Sequence, residues 1–357
     1  MRIAIIYNEP KPSSPQEHWL SRSGSEGTVV AETFKDASEY GVLQETQLVE
    51  SFLREAGYET LLHAADDVSG LVEFLVKDRP DLIFNCCESF RGQAKLEMNV
   101  AAIFEILEIP FTGSSALTLG MALNKSVAKT LFVSHGVPTP PWAVLSPHSL
   151  EDCAATLRFP LIVKPLEEDA SIGIDTHSIV ENQTSLIERV RFVWDEFHQP
   201  ALAEEFIDGR ELNVAVLAVS AERFVTLPVS EILFDGFPGC KNHILTYEAK
   251  WMPDSPYYVS TVPRCPASLP PALEERVRSV ALKAAAAVRL RDYGRIDFRV
   301  RASDNAVFAL EANPNPDITF DSGFVRAAQA SGRTHAKVIC EIVERARERT
   351  LRRNPTP

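Results

Sequence analysis

GRIDFRV at Gly294–Val300 and AVFALEAN at Ala306–Asn313, joined through Ser303-Asp304-Asn305, form the stretch on which the reading of this chain turns. Two β-rich runs around Asp and Asn turn residues predict an antiparallel hairpin. Centred on Asp304, the hairpin sets Asp297 opposite Glu311. Side chains alternate faces along a strand, so Phe298 and Val300 are expected to share a dry face with Leu310 and Phe308. Asp297 and Glu311 then share the opposite face with Arg295 and Asn313. Like charges directly across two strands are destabilising. A divalent cation resolves the conflict, since two carboxylates and an amide are hard oxygen ligands and phosphates completing the shell describe magnesium on a nucleotide. The competing reading is a salt-bridged face on which Arg295, Arg299 and Arg301 neutralise the acids. Pro314 and Pro316 favour the metal, because two prolines at a strand exit fix a rigid loop rather than continue a sheet.

Two upstream stretches suit the same ligand. Phe159–Ile174 reads FPLIVKPLEEDASIGI, so an apolar strand delivers Lys164 at its end, just before a small polar loop around Ser171. A lysine beside free backbone N–H groups is a phosphate cradle; a surface lysine and a tight turn would read the same way. Neither G-x-x-x-x-G-K-[ST] nor G-x-G-x-x-G occurs, which excludes the two common glycine-rich nucleotide motifs. Ala201–Leu212 (ALAEEFIDGREL) ends one strand at Glu204-Glu205-Phe206-Ile207 and enters another with Glu211. Its hinge can meet an adenine edge and its acid ribose hydroxyls, or it is simply a charged hairpin tip.

The rest of the chain supplies a scaffold of matching type. Arg2–Tyr7, Val42–Ala56, Tyr58–Leu62, Leu71–Lys77 and Asp81–Cys86 alternate strand and helix, the pattern of a parallel α/β domain with ligand loops at its strand ends. Further helices are expected at Glu97–Leu107, Leu123–Ser134, Pro271–Leu290 and Ala336–Arg352, with Thr139-Pro140-Pro141 as a junction and Lys11–Gly27 as a loop. The net charge of −13 argues against nucleic acid or an anionic membrane as partner, since both need a basic face. No apolar run is long enough to span a bilayer. The start MRIAIIYNEP lacks the form of a signal peptide, and the six scattered cysteines read as reduced thiols, together suggesting a cytoplasmic protein.

Taken in order, Pro110-Phe-Thr-Gly113, Asn124-Lys125 with Lys129, Ile162-Val-Lys-Pro165, Glu204–Glu211, Tyr247-Glu-Ala-Lys250, Arg295-Ile-Asp-Phe298 and Glu311-Ala-Asn313 resemble the D-alanine–D-alanine ligase branch of the ATP-grasp superfamily. The resemblance spans about Pro80 to Ala328. It implies an α/β ATP-grasp fold with an amino-terminal substrate domain (1–118), a central lid domain (119–206) and a carboxyl-terminal catalytic domain (207–357). It further implies ATP, with its phosphates on Lys129 or Lys125 and on Lys164 under the Ser171 loop. Glu204, Phe206 and Ile207 would frame the adenine and Glu211 the ribose. Asp297, Glu311 and Asn313 would hold magnesium or manganese, Arg295 would stabilise an acyl phosphate, and Lys250 would lie in a loop folded over the reacting phosphate. The implied activity joins a small-molecule carboxylate to an amine, in a homodimer.

The sequence departs from that branch mainly where substrates would be read. YNEPKPSSPQEHWLSRSGSEG (Tyr7–Gly27) and FNCCESFRGQAK (Phe84–Lys95) replace a Gly-rich loop and an HG-x-x-GEDG-like segment. Trp251 stands for a tyrosine, Pro316-Asp317 for Pro-Gly, and Ser322-Gly323 for the Ser-Leu that fixes the second substrate's carboxylate. Arg91 is a further candidate for a substrate carboxylate, with a solvated loop as the equal alternative. Glu39 and Glu45 could approach a substrate amine but are expected at the surface. His243, in the long loop before Tyr247, is a better candidate than the other histidines for a base or ligand role, with a bland role still favoured. Three functions fit: an amino-acid ligase, an ATP-grasp ligase for another carboxylate or a modified peptide, and a non-catalytic nucleotide-binding module.

Overall fold

The computed structural model describes residues 1–9, 34–148, 156–220, 223–238 and 243–353. The loop expected over Lys11–Gly27 and the side chain of Glu39 lie outside the described residues. Strand β1 (Arg2–Tyr7), helix α1 (Phe34–Glu55), β2 (Glu59–Ala64), α2 (Val68–Asp78) and β3 (Leu82–Cys86) alternate as expected. Their sheet is parallel, in the order β2-β1-β3. α3 (Glu97–Ile106) follows. The single helix expected over Leu123–Ser134 is instead two, α4 (Ala116–Leu123) and α5 (Lys125–Ser134). Asn124 breaks them apart: it ends α4 in extended conformation, and its side chain caps α5 by accepting from Val127 N.

A four-stranded antiparallel sheet comes next, built from β4 (Trp142–Leu145), β5 (Leu161–Pro165), β6 (Ile179–Val180) and, after α6 (Gln183–Phe197), β7 (Ala201–Glu205). The largest sheet holds β8 (Gly209–Ser220), β9 (Arg223–Thr226), β10 (Ser230–Phe234), β11 (Thr261–Arg264), β12 (Tyr293–Arg301) and β13 (Val307–Asn313). Between β10 and β11 lie the short helices α7 (Tyr247–Trp251) and α8 (Pro256–Val259), and before β12 lies α9 (Pro271–Ala287). α10 (Gly323–Ala330) and α11 (His335–Arg353) close the chain. None of the described helices is long and apolar enough to cross a membrane.

Two cores share the large sheet. On one face Leu212, Val214, Ile296 and Phe298 pack against α9 and against Phe132 of α5. α5 therefore belongs with the large sheet, and within the expected lid region 119–206 the four-stranded sheet starts only at Trp142. On the other face Ala215 and Tyr293 join Phe324 of α10, Ile339 and Val343 of α11, and Ile3 and Leu53 of the parallel domain. The first domain and the large sheet are thus packed into one interior.

A buried charge locks that junction. Asp292, 4% exposed, accepts from Gly113 N at 2.9 Å and from Arg349 of α11, whose other nitrogen reaches Phe111 O at 2.6 Å. Gly113 adopts φ +83, and a Cβ there would strike Asn315 Oδ1, which explains why Pro110-Phe-Thr must end in glycine. Removing one member of a buried ion pair strands the other charge. Asp292→Ala is expected to destabilise the protein by about 3–5 kcal/mol, read as a large fall in its thermal unfolding midpoint; an unchanged midpoint would show that the lock carries no load.

Candidate active site

The hairpin forms as expected, with one correction. Asp297 pairs with Glu311 and Arg295 with Asn313, but a bulge then shifts the register, so Phe298 opposes Ala309 and Val300 opposes Val307. The extra residue is Leu310. It turns Leu310 and Phe308 away from the core, which Ala309 and Val307 complete in their place. Leu310 thereby becomes part of the wall of a cavity of about 790 Å³ between the two antiparallel sheets.

The β7 side of this cavity carries one carboxylate shared by two lysines. Glu204, 1% exposed, lies 2.8 Å from Lys164 Nζ and 2.5 Å from Lys129 Nζ. Burial pushes the Glu204 carboxyl up, but the two ammonium groups outweigh it and hold it at about 2. The lysines divide: burial lowers Lys129 despite Glu204, whereas for Lys164 the surrounding carboxylates win and raise it. Lys164 is the firm cation on the cavity wall. Lys129 is fully buried behind it and donates to Thr139 Oγ1 at 2.7 Å, while Lys125, also buried, donates to the Glu168 carbonyl. Glu204 does line the cavity, but its carboxylate is engaged by lysines rather than open toward an adenine.

Phe206, Ile207 and Leu310 line an apolar stretch beside Glu211. Glu211 pairs with Arg299 at 2.9 Å, and Arg299 lies over the Phe206 ring at 5.2 Å. Across β12, Arg295 grips Asp297 through two hydrogen bonds of 2.7 and 2.8 Å, and Asn313 Nδ2 donates to the same carboxylate at 3.0 Å. Burial raises the Asp297 carboxyl beyond what Arg295 offsets; Glu311 is held low because Lys125, Lys164 and Arg295 together overcome its burial. The donors facing the cavity are therefore two carboxylates and the Asn313 amide oxygen, a hard set that suits magnesium. Among the described residues no group of three or more His, Cys, Asp or Glu forms a self-sufficient metal cage. A cation here would need phosphate oxygens to fill its shell.

A lid closes over these groups. Trp251 Nε1 donates to Ala170 O at 2.9 Å and Tyr247 N to Ile174 O at 2.9 Å, tying α7 to the loop that carries Ser171. Ser171 holds φ +61 at the cavity edge. Lys250 faces the same space, lowered by burial and then by the nearby charge of Arg295. Lys250 and Arg295 thus bring two cations to one wall of the cavity, where fixed positive charge suits an anion.

Asp317 and Ser322, the other two residues expected near a substrate, line the cavity. Asp317 Oδ1 accepts from Thr319 N at 2.7 Å, and Ser322 caps α10 by accepting from Val325 N at 3.3 Å. Arg91 does not line the cavity: it is exposed, at φ +54, with its guanidinium over the Phe90 ring. His243 packs its ring against Phe234 and Phe237, off the cavity wall. Glu45, expected at the surface, is 6% exposed and accepts from Ile318 N at 3.2 Å, supporting the loop that carries Asp317. Its signal was present: Val42, Glu45, Thr46 and Val49 lie at helical spacing, and all four are buried. Glu97 was also missed. It accepts from Asn315 Nδ2 at 3.1 Å, and burial, with Asp169 nearby, pushes it up to about 8.

Glu204 yields a pH test. A carboxyl depressed to about 2 from an ordinary 4.5 adds stability that is complete above 4.5 and is lost as pH falls toward 2. The stability gap between the wild type and Glu204→Gln should hold steady from pH 7 to 5, at on the order of 3 kcal/mol, and narrow below pH 4.5. A gap independent of pH in urea titrations would rule out the shared ion cluster.

Residues 131–344 match the family described as D-ala D-ala ligase C-terminus. Over 98% of its length the chain is 32% identical to y4sG, an uncharacterised protein of Sinorhizobium fredii, and covers 98% of it. It is 35% identical, over 68% of its length and 69% of the relative's, to the D-alanine–D-alanine ligase of Bordetella petrii. Among solved structures, the Bacillus anthracis D-alanine–D-alanine ligase complexed with ATP aligns with a TM-score of 0.71 at 21% identity, over 99% of this chain and 100% of that one.

Proposed function

The chain belongs to the D-alanine–D-alanine ligase family and has its ATP-grasp fold, and from that premise we propose how its cavity is divided between nucleotide, cation and two substrates. It is an ATP-dependent carboxylate–amine ligase, acting on small molecules. The single observation that supports the assignment of roles is the meeting of Lys164, from one sheet, with Arg295, Asp297, Glu311 and Asn313, from one face of the other, in the same cavity.

The adenine lies against Phe206, Ile207 and Leu310, and the ribose hydroxyls reach Glu211. Lys164 meets the phosphates, and Lys129, joined to it through Glu204, keeps the cluster positive. Asp297, Glu311 and the Asn313 amide oxygen would hold magnesium, which neutralises phosphate charge when bound. A substrate carboxylate oxygen attacks the γ-phosphorus, the bond to ADP breaks, and an acyl phosphate forms. Arg295 and Lys250 face the charge that collects on the transferring group. The amine then attacks the acyl carbon, phosphate leaves, and one proton is lost. The Ser171 and Trp251 lid keeps water from the acyl phosphate. Ser322 and the start of α10 take the carboxylate of the amine substrate, close to Asp317.

Magnesium-dependent ADP release driven by amino acids, with product masses, tests the reaction. Asp297→Asn and Glu311→Gln should each lower turnover by at least about a hundredfold with the melting temperature little changed; near-normal turnover in either would remove the metal assignment. Lys164→Ala should weaken ATP by about tenfold or more, and unchanged ATP affinity would refute its phosphate role.

A further inference from the structure

Three arginines line the cavity, and they are not alike. Arg295 is paired with Asp297 and Arg299 with Glu211. Arg326 has no ion pair and no side-chain hydrogen bond among the described residues, and its Nε is buried without a partner. It lies on α10 three residues beyond Gly323, so both are on the same face of the helix. A guanidinium nitrogen buried without a partner is costly to maintain, since Nε has given up water and gained no hydrogen bond.

A second unsatisfied group lines the same cavity. Asn213 sits on β8 opposite Asp297, with its side chain in the cavity and its Oδ1 buried without a partner. That oxygen points toward α10: a Cβ built on Gly323 would stand 3.4 Å from Asn213 Oδ1 and 3.9 Å from Arg295 Cδ. Gly323 has an ordinary φ, so no backbone conformation demands glycine there. What the missing side chain provides is open space between the reacting groups and Asn213. Ile232, Pro263 and Arg326 line the same cavity.

We propose that the amine substrate is an amino acid with a second, side-chain anionic group, of the aspartate or glutamate class, bound by Arg326, with its amine donating to Asn213. This rests on the ligase reading above. With the α-carboxylate at Ser322 and the start of α10, the side-chain anion meets Arg326 one helical turn along, about 5.4 Å away, within reach of a short acidic side chain. The amine is held at Asn213, beside Arg295, where the acyl carbon lies. A guanidinium holds a carboxylate through two parallel hydrogen bonds, which a side-chain amide cannot reproduce.

The test is ADP release by the full chain with magnesium and ATP, using amino acids that differ only in charge. Glutamate is set against glutamine and aspartate against asparagine, in D and L forms, each with alanine as the carboxylate donor. The wild type should use the acid better than its amide by about tenfold or more in kcat/KM. Arg326→Gln should bring that ratio close to unity, and Arg326→Lys should keep part of it. Asn213→Leu should raise the KM for the amine without a matching change in the KM for ATP. Equal use of acid and amide by the wild type, or a preference that survives Arg326→Gln, overturns the proposal and leaves the ligase reading standing. Should Arg326→Gln not fold, the wild-type ratio decides alone. If no amino acid, acidic or neutral, drives ADP release, both fall together.

Discussion

Asp297 and Glu311 stand side by side across β12 and β13, two half-buried carboxylates that repel. The geometry around them offsets that repulsion. Arg295 reaches Asp297 from two residues away on the same strand, while Lys125, Lys164 and Arg295 lower Glu311 through space. Lys164 comes from the other antiparallel sheet, and its own position depends on Glu204. Charge therefore acts across the gap between the two sheets, where Lys164 lowers Glu311.

The hairpin bulge shows how local backbone sets chemistry. Without Leu310 as an extra residue, strict alternation would keep the pairing of Asp297 with Glu311 but put the next apolar residues in the core. With it, a leucine joins Phe206 and Ile207 on the cavity side immediately beside the carboxylates. Apolar wall and charged floor then meet within one strand, the arrangement that a nucleotide with a flat base and a charged tail requires.

The pairing of Asp297 with Glu311 could be read from turn chemistry and the distance between two strands, because both are local. The strand–helix alternation of the first domain was legible for the same reason. The bulge was not: strands of this composition fit with or without it, and tertiary packing decides. Nor was the role of Glu204, since its lysines come from α5 and β5 and only the assembled sheets bring them together. Glu45 sat in plain view on an apolar helix face, but charge alone argued for the surface. For Arg91 the sequence left a substrate contact and a solvated loop as equal readings, and the side chain is exposed and off the cavity wall.

The cavity groups fall into two kinds. Lys164, Arg295 and Arg299 each have a carboxylate partner already in place. Such groups are fixed before any ligand arrives, and rigid, prepaid electrostatics are what a charge-developing transition state needs. Arg326 and Asn213 are instead left unsatisfied where they face the cavity. Each costs about 1–3 kcal/mol while empty, a cost that gives no stability and no preorganised field. It does give discrimination, because only a ligand with the matching donor or anion restores the lost hydrogen bonds, and an analogue without it leaves them unmade. On the proposed division of roles, Arg295 acts from a compensated charge, and substrate choice falls to uncompensated groups. In this chain the second kind lies along α10 and β8, near Gly323.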